Sequence, residues 1–381
     1  MKKVFYAGVT GIVIYEIASV YFITPLPGSQ NLNSIELAYF LQSWRWVFRI
    51  ILWVLVLAGG AAVVNKKPIW FPLAMLVMAL GITYATHYIM SADKMFYQPV
   101  RLEHEISEES VVHQDRLVLG IYENGEAKAY PIQYLGYHHQ VRDVIGGKSV
   151  MVTYCTACRT GRVYEPLINN REEVFTLVGM DHFNALFEDA TTGSWWRQVN
   201  GEAVTGVLKG QRLQEFPSIQ TSLGQWLKMY PDSRIMQPDP RFQDEYDLLS
   251  KYENGWGSTG LTTRDSVSWR DKSWVVGVKI GKDTKALDWN QLLRERLVET
   301  TVGRTPVLVA LGSDNGSFFA FKRNTPADRF TLRNDTLYCR GEAYNLLGKN
   351  VKLSAKGLEM VSAYQEFWHS WRTFNPATER Y

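Results

Sequence analysis

LGIYENGEAKAYPIQYLGYHHQVRDVIGGKSVMVTYCTACRTGRVYE, residues 119–165, aligns without gaps on VGVKIGKDTKALDWNQLLRERLVETTVGRTPVLVALGSDNGSFFAFK, residues 276–322. Gly120 meets Gly277, Lys128-Ala129 meets Lys285-Ala286, Leu135 meets Leu292, and Gly146 meets Gly303. Val141, Val150 and Val152 meet Val298, Val307 and Val309. Further on, NGEA from Asn200 returns as RGEA from Arg340, and WLKMYPDS from Trp226 returns as WRTFNPAT from Trp371. Matched apolar positions in a matched order imply two related modules, 112–235 and 272–381, joined by the polar stretch 236–271.

Within each module short β-branched and aromatic runs alternate with turn signals. RLVLGIY, KSVMVTY and GRVYE read as strands, and SLGQWLKMY and AYQEFWHSW as short helices. Asn124-Gly125 and Asn200-Gly201 read as hairpin turns, whose residues must tolerate positive φ. The expected class is α+β: a β-rich soluble domain of two degenerate tandem repeats.

The chain has 381 residues, 46% hydrophobic and 13% aromatic, which excludes a disordered chain. Its net charge of +3 excludes a protein built to coat nucleic acid. Apolar residues crowd into a membrane anchor, 1–92, with runs at 4–22, 46–64 and 69–90. Each is close to the ~20 residues that cross a bilayer as a helix. The first run lacks a small-residue cleavage site and is followed by two more, so it reads as an uncleaved span. Lys2, Lys3, Lys66 and Lys67 place the N-terminus inside, against Arg45 and Arg49 near the outer end of the second run. With three spans, everything from about Ser91 faces outward. The expected place is the bacterial cytoplasmic membrane, with the soluble domain extracytoplasmic and the lipid bilayer its first partner. Glu16, Arg49 and His87 read as a structural pair and an aromatic-belt histidine.

Residues present in one module and absent from its twin cannot be explained by a shared fold. Cys155 and Cys158 face Gly312 and Asn315, His138 and His139 face Glu295 and Arg296, and Asp143 faces Thr300.

These residues carry a resemblance. YPIQYLGYHHQVRDVIGGKSVMVTYCTACRTGRVYE, with its Tyr-Pro, His, Asp, Gly-Gly and Val-Thr-Tyr-Cys-x-x-Cys, resembles the uncharacterised bacterial and archaeal family DUF3179. DATTGSWWRQVNGEAVTGVLKGQRLQEFP is similar to that family's second block. The family's histidine falls on His138. The chain departs in carrying His139 where the family has Glu and Arg142 where it has Asn. Some members are selenoproteins with selenocysteine at a motif position, which implies redox chemistry.

Three chemistries fit Cys155-Thr156-Ala157-Cys158. Two thiols at this spacing close a small disulfide or clamp a soft metal ion. Neighbouring Arg159 and Arg162 favour the thiolate. As a thiol–disulfide oxidoreductase the chain would attack through Cys155, with His138 or His139 as base and Asp143 orienting the ring. As a metal site, Cys155, Cys158 and one of His138 and His139 would hold Zn or Cu(I), with Asp143 or His182 as fourth ligand. As a brace, the pair would be a structural disulfide in a scaffold subunit that binds a protein partner. The cofactor therefore stays open between none, Cu and Zn, and Cys339, opposite Val199, is a bystander with at most a resolving role. Gly161 and the strand-like RVYE follow the motif closely, so it sits in a strand-to-strand loop and not at the head of a thioredoxin helix. Trp195 and Trp196 read as core. No P-loop, GxGxxG, HExxH or GxSxG motif supports nucleotide or common hydrolase chemistry.

Overall fold

The computed structural model describes residues 1–64, 68–353 and 356–381. Lys66 and Lys67, on which the inside-to-outside reading partly rests, lie outside the described residues. The chain forms two compact units: 1–97 with 173–212, and 98–172 with 213–381. The sequence kept 112–235 in one piece; the structure instead gives its middle, Glu173–Arg212, to the unit of the N-terminal helices. Local patterns carry no mark of this, because the contacts are long-range.

In the first unit, α1 (Lys2–Tyr21), α2 (Ile35–Ser43), α3 (Arg45–Val64) and α4 (Trp70–Tyr84) follow in order, α4 running on through a π turn to Ile89. Lys2–Tyr21, Arg45–Val64 and Trp70–Ile89 are each long and apolar enough to cross a membrane. α1 packs closely on α3: a Cβ added at Gly59 would stand 2.4 Å from the Phe5 nitrogen. Small residues at such crossings let helix backbones approach where lipid offers no hydrophobic drive. Glu16, fully buried on α1, accepts Arg49 Nε at 2.7 Å and Nη2 at 2.8 Å, and Thr86 Oγ1 at 2.9 Å. A four-stranded sheet of residues 175–205 completes the unit, with Trp195 in a cluster with Ile23, Ala38 and Leu186.

The second unit is built from short sheets. β1 (Leu117–Glu123) and β2 (Glu126–Pro131) form a hairpin, whose turn residues Asn124 and Gly125 have φ of 47° and 88°. Then come α5 (Ile132–His138) and the antiparallel trio β3 (Gln140–Ile145), β4 (Lys148–Cys155) and β5 (Thr160–Tyr164). β6 (Ile219–Ser222) returns antiparallel to β1, α6 (Leu223–Met229) follows, and β7 (Arg234–Met236) lies parallel to β2.

The remainder runs through the same order of pairings. β8 (Trp274–Ile280) and β9 (Asp283–Asp288) pair, α7 (Trp289–Glu295) follows, and β10 (Leu297–Val302), β11 (Thr305–Leu311) and β12 (Phe318–Lys322) make the trio. β13 (Ala363–Phe367) pairs antiparallel with β8, then α8 (Trp368–Phe374), then β14 (Glu379–Arg380) parallel to β9. AYQEFWHSW is therefore a strand that becomes a helix at Trp368, not a helix throughout; its β-branched-poor strand is held by pairing with β8.

Two glycines show why those positions carry no side chain. A Cβ on Gly120 would stand 2.3 Å from the Trp226 ring, and one on Gly277 would stand 2.2 Å from Trp371. Each indole also donates onward, Trp226 to Ser233 at 2.7 Å and Trp371 to Thr378 at 2.9 Å.

Candidate functional site

β4 ends at Cys155, and the chain turns through Thr156, Ala157 and Cys158 into β5, as a strand-to-strand loop. Both cysteines are thiols and almost fully buried, at 1% and 0% exposure. Burial pushes Cys158 up, the neighbouring Cys155 adds to that, and a hydrogen bond from Ser370 pulls the other way.

Three separate segments hold the turn by its carbonyls. Tyr252 Oη donates to the Thr156 carbonyl at 2.9 Å. Lys272 Nζ donates to the Ala157 carbonyl at 2.8 Å and to the Leu261 carbonyl at 2.5 Å. The Phe367 amide, at the end of β13, donates to the Cys158 carbonyl at 2.9 Å. His369 Nε2 lies 3.1 Å from the Ala157 carbonyl and 3.2 Å from Lys272 Nζ, so its tautomer decides which of them it bonds. Burial lowers Lys272, opposed by the charges that Cys158 and Cys155 can carry. Burial, with Lys272 beside it, pushes His369 down to about 3, so the imidazole is neutral near pH 7.

Beyond the sulfurs lies a charged layer. Glu366, fully buried, accepts Arg162 Nη2 at 2.6 Å and Thr160 Oγ1 at 3.0 Å on one oxygen, and Ser370 Oγ at 2.8 Å on the other. The Arg162 guanidinium lies 3.3 Å from the centre of the Tyr364 ring. Arg159, in a left-handed conformation with φ 55°, stacks 3.7 Å from Trp274 and donates to Gln365 Oε1 at 2.9 Å. Neutral packing would stabilise a loop more cheaply than buried ions do.

The other expected site residues are placed as follows. His138 Nε2 is 2.6 Å from Tyr246 Oη, in a ring cluster with Tyr137 and Phe242. His139 caps α5 with φ 59°, and its Nδ1 lies 2.9 Å from the Tyr154 carbonyl, one residue before Cys155. Burial lowers His139. Asp143 accepts Lys128 Nζ at 3.0 Å and Tyr130 Oη at 2.7 Å, with His104 Nε2 3.2 Å away. His182 belongs to the other unit, where its Nδ1 is 2.7 Å from Asp181. Burial works to raise Asp181, but His182 and Arg197 outweigh it and hold the carboxyl low. Cys339 sits in an apolar cluster with Phe330, Leu337 and Tyr344, and burial raises its thiol. Trp195 and Trp196 are buried and donate to Glu188 and Asp189. For a metal, the two adjacent sulfurs are the donors at hand; among the described residues no three His, Cys, Asp or Glu side chains gather to hold an ion.

The structure thus sets Cys155 and Cys158 in one buried turn, with Lys272 and His369 at its Ala157 carbonyl and Glu366 and Ser370 on the neighbouring β13–α8 stretch. A signal for the last three existed. In the Trp226–Trp371 alignment Glu366 stands opposite Thr221, His369 opposite Gly224 and Ser370 opposite Gln225. At each of these aligned positions the later stretch carries a polar or titratable side chain that the earlier one does not.

No curated protein and no solved structure matches the chain. A sequence model of one family matches residues 99–378, from before the β1 hairpin to just before the last strand, and takes in the whole dithiol turn and its surroundings. The chain belongs to the family described as "Protein of unknown function (DUF3179)".

Proposed function

We propose that this chain is a membrane-tethered thiol–disulfide oxidoreductase whose centre is the Cys155–Cys158 dithiol. The observation that carries the reading is the pair of free, buried thiols in one turn with a lysine ammonium on the carbonyl between them. On oxidation the two sulfurs join, and two protons and two electrons pass to a partner disulfide, which leaves as two thiols. Lys272 lowers the energy of the thiolate that attacks. At 1% exposure Cys155 meets its partner in an opened form of the site. The three spans tether the centre, with the N-terminus inside and the dithiol outside, where disulfides persist. The two sets of strands are two copies of one module. The earlier copy carries the sulfurs and the later copy supplies their charged surroundings.

The test is equilibration of the full chain in detergent with reduced and oxidised glutathione or dithiothreitol, followed by alkylation and mass spectrometry. A reversible Cys155–Cys158 bond with a measurable potential supports the reading. A bond that never reduces short of unfolding sinks it in favour of a scaffold brace. Stoichiometric metal lost on Cys155→Ser or Cys158→Ser sinks it in favour of soft-metal handling, for which two thiolates suit two-coordinate Cu(I).

A further inference from the structure

Successive spans alternate in direction, which brings the end of α1, the start of α3 and the end of the third span to one level. There Ser19, Arg49 and Thr86 line the same cavity. Glu16 ties that level together, accepting from Arg49 at 2.7 Å and from Thr86 at 2.9 Å. Glu188 and Trp195, from the sheet of residues 175–205, line it too, so the cavity lies wholly within the first unit. Its volume is about 240 Å³. Pockets that enclose a whole drug-sized ligand run to roughly 300–1,000 Å³, so this one suits a small polar group whose remainder stays outside.

Exposed aromatic rings mark the level. Trp44, Trp46, Tyr84 and Tyr88 stand out around it, while Trp70 and Phe71 are exposed at the opposite end of the helices. Belts of this kind form where indole and phenol rings meet the two headgroup layers of a bilayer. The cavity therefore sits at headgroup depth. From it Ile50, Val54 and Leu57, one exposed apolar face of α3, run toward the other belt.

The lining carries both signs of charge. Arg49, with a side chain only 11% exposed, gives Nε and Nη2 to Glu16 and keeps Nη1 without a partner among the described residues. Arg45 and Lys94 line the cavity with no carboxylate partner among the described residues; Lys94 Nζ lies 4.1 Å from the centre of the Tyr88 ring. Glu188 accepts the Trp195 indole on Oε2 at 2.8 Å, which leaves Oε1 unpartnered among the described residues. Asp93 is the second carboxylate of the lining, and Glu16 stands behind Arg49, so three cations meet three carboxylates. A surplus of cations would select an anion, whereas a balance around one small space selects a group that carries both signs.

We propose that this cavity binds the headgroup of a zwitterionic aminophospholipid, a phosphate diester joined by a short linker to a primary ammonium. The site rests on the membrane-tether reading above. Arg49 Nη1, Arg45 and Lys94 receive the phosphate, for which guanidinium and ammonium groups are charge-assisted donors. Glu188 Oε1 and Asp93 receive the ammonium. A primary ammonium offers them three N–H donors, and a quaternary one offers none. The tails lie along the exposed face of α3. Bound in this way, the lipid links α3 to the sheet that carries Glu188.

The experiment titrates the full chain, stripped of lipid in detergent, separately with phosphatidylethanolamine, phosphatidylcholine and phosphatidylglycerol, and reads bound copies by native mass spectrometry. The ethanolamine lipid is expected to bind about tenfold more tightly than either of the others, the weight of one charge-assisted hydrogen bond. Glu188→Gln should erase its lead over the choline lipid, and Lys94→Met should weaken both lipids alike. Circular dichroism of each variant separates a misfolded chain from one that has lost the site. Glycerophosphoethanolamine, the same headgroup without tails, is the soluble arm: binding as tight as that of the lipid makes the ligand a free phosphoester and overturns the lipid. Equal affinities for the three lipids, or a lead for the glycerol lipid, overturn the site and leave the tether standing. A chain that carbonate washing frees from membranes loses the tether reading, and the headgroup site falls with it.

Discussion

Lys272 Nζ donates to the carbonyl of Ala157 at 2.8 Å, inside the turn that joins the two sulfurs. An ammonium so placed favours whichever sulfur carries negative charge. Lys272→Met keeps the bulk and removes the charge. The alkylation profile of the dithiol is then expected to move up by about one pH unit, so that iodoacetamide labelling at pH 7 slows about tenfold. An unmoved profile, followed by mass spectrometry from pH 6 to 10, removes Lys272 from the chemistry.

His369 gives the acid side of the stability curve. Its folded pKa is pushed down to about 3 by burial, below the ordinary value of 6.5. The unfolded chain binds the proton more readily, so the stabilisation is whole above pH 6.5 and is lost as pH falls from there toward 3. The loss over that range is on the order of a few kcal/mol. His104, lowered by burial to about 4, works in the same direction. His369→Gln should flatten the curve between pH 6 and 4 in urea titrations. A curve as steep as before shows that His369 is not the titrating group.

Gly120 and Gly277 each leave room for an indole. Gly120→Ala and Gly277→Ala are expected to cost about 1–3 kcal/mol each through overpacking against Trp226 and Trp371. Urea unfolding of the two variants reads this directly. Equal midpoints for variant and parent would mean that the rings shift aside freely.

Glu16 and Arg49 form a two-pronged pair within the helical unit. Replacing one partner strands a buried charge, so Arg49→Leu should lower the unfolding free energy by roughly 3–5 kcal/mol. The double replacement Glu16→Leu with Arg49→Leu should recover much of that. Stability in detergent, measured by the temperature at which monodisperse protein is lost, checks both. A double variant no better than the single one contradicts the pairing.

Much of this was legible in the sequence because it is local. The three apolar helices, the Asn124-Gly125 turn and the loop setting of Cys155 and Cys158 follow from hydropathy, turn chemistry and the closeness of Gly161. Residues found at only one of two aligned positions point to His138, His139 and Asp143 as partners of the sulfurs. Asp143 instead serves Lys128 and Tyr130. The groups at the turn come from positions up to about two hundred residues downstream, brought there by the β13–β8 pairing, and no periodicity announces such a meeting. The transfer of Glu173–Arg212 to the helical unit escaped for the same reason.

Each peptide oxygen of Thr156, Ala157 and Cys158 is clasped by a different stretch of chain, at Tyr252, Lys272 and Phe367. A ribosome that has finished the sulfur-bearing strands has therefore not yet made the pieces that hold them. About two hundred more residues must be translated before the Phe367 amide can reach back to Cys158, so the turn stays ungripped until that later stretch has folded onto it.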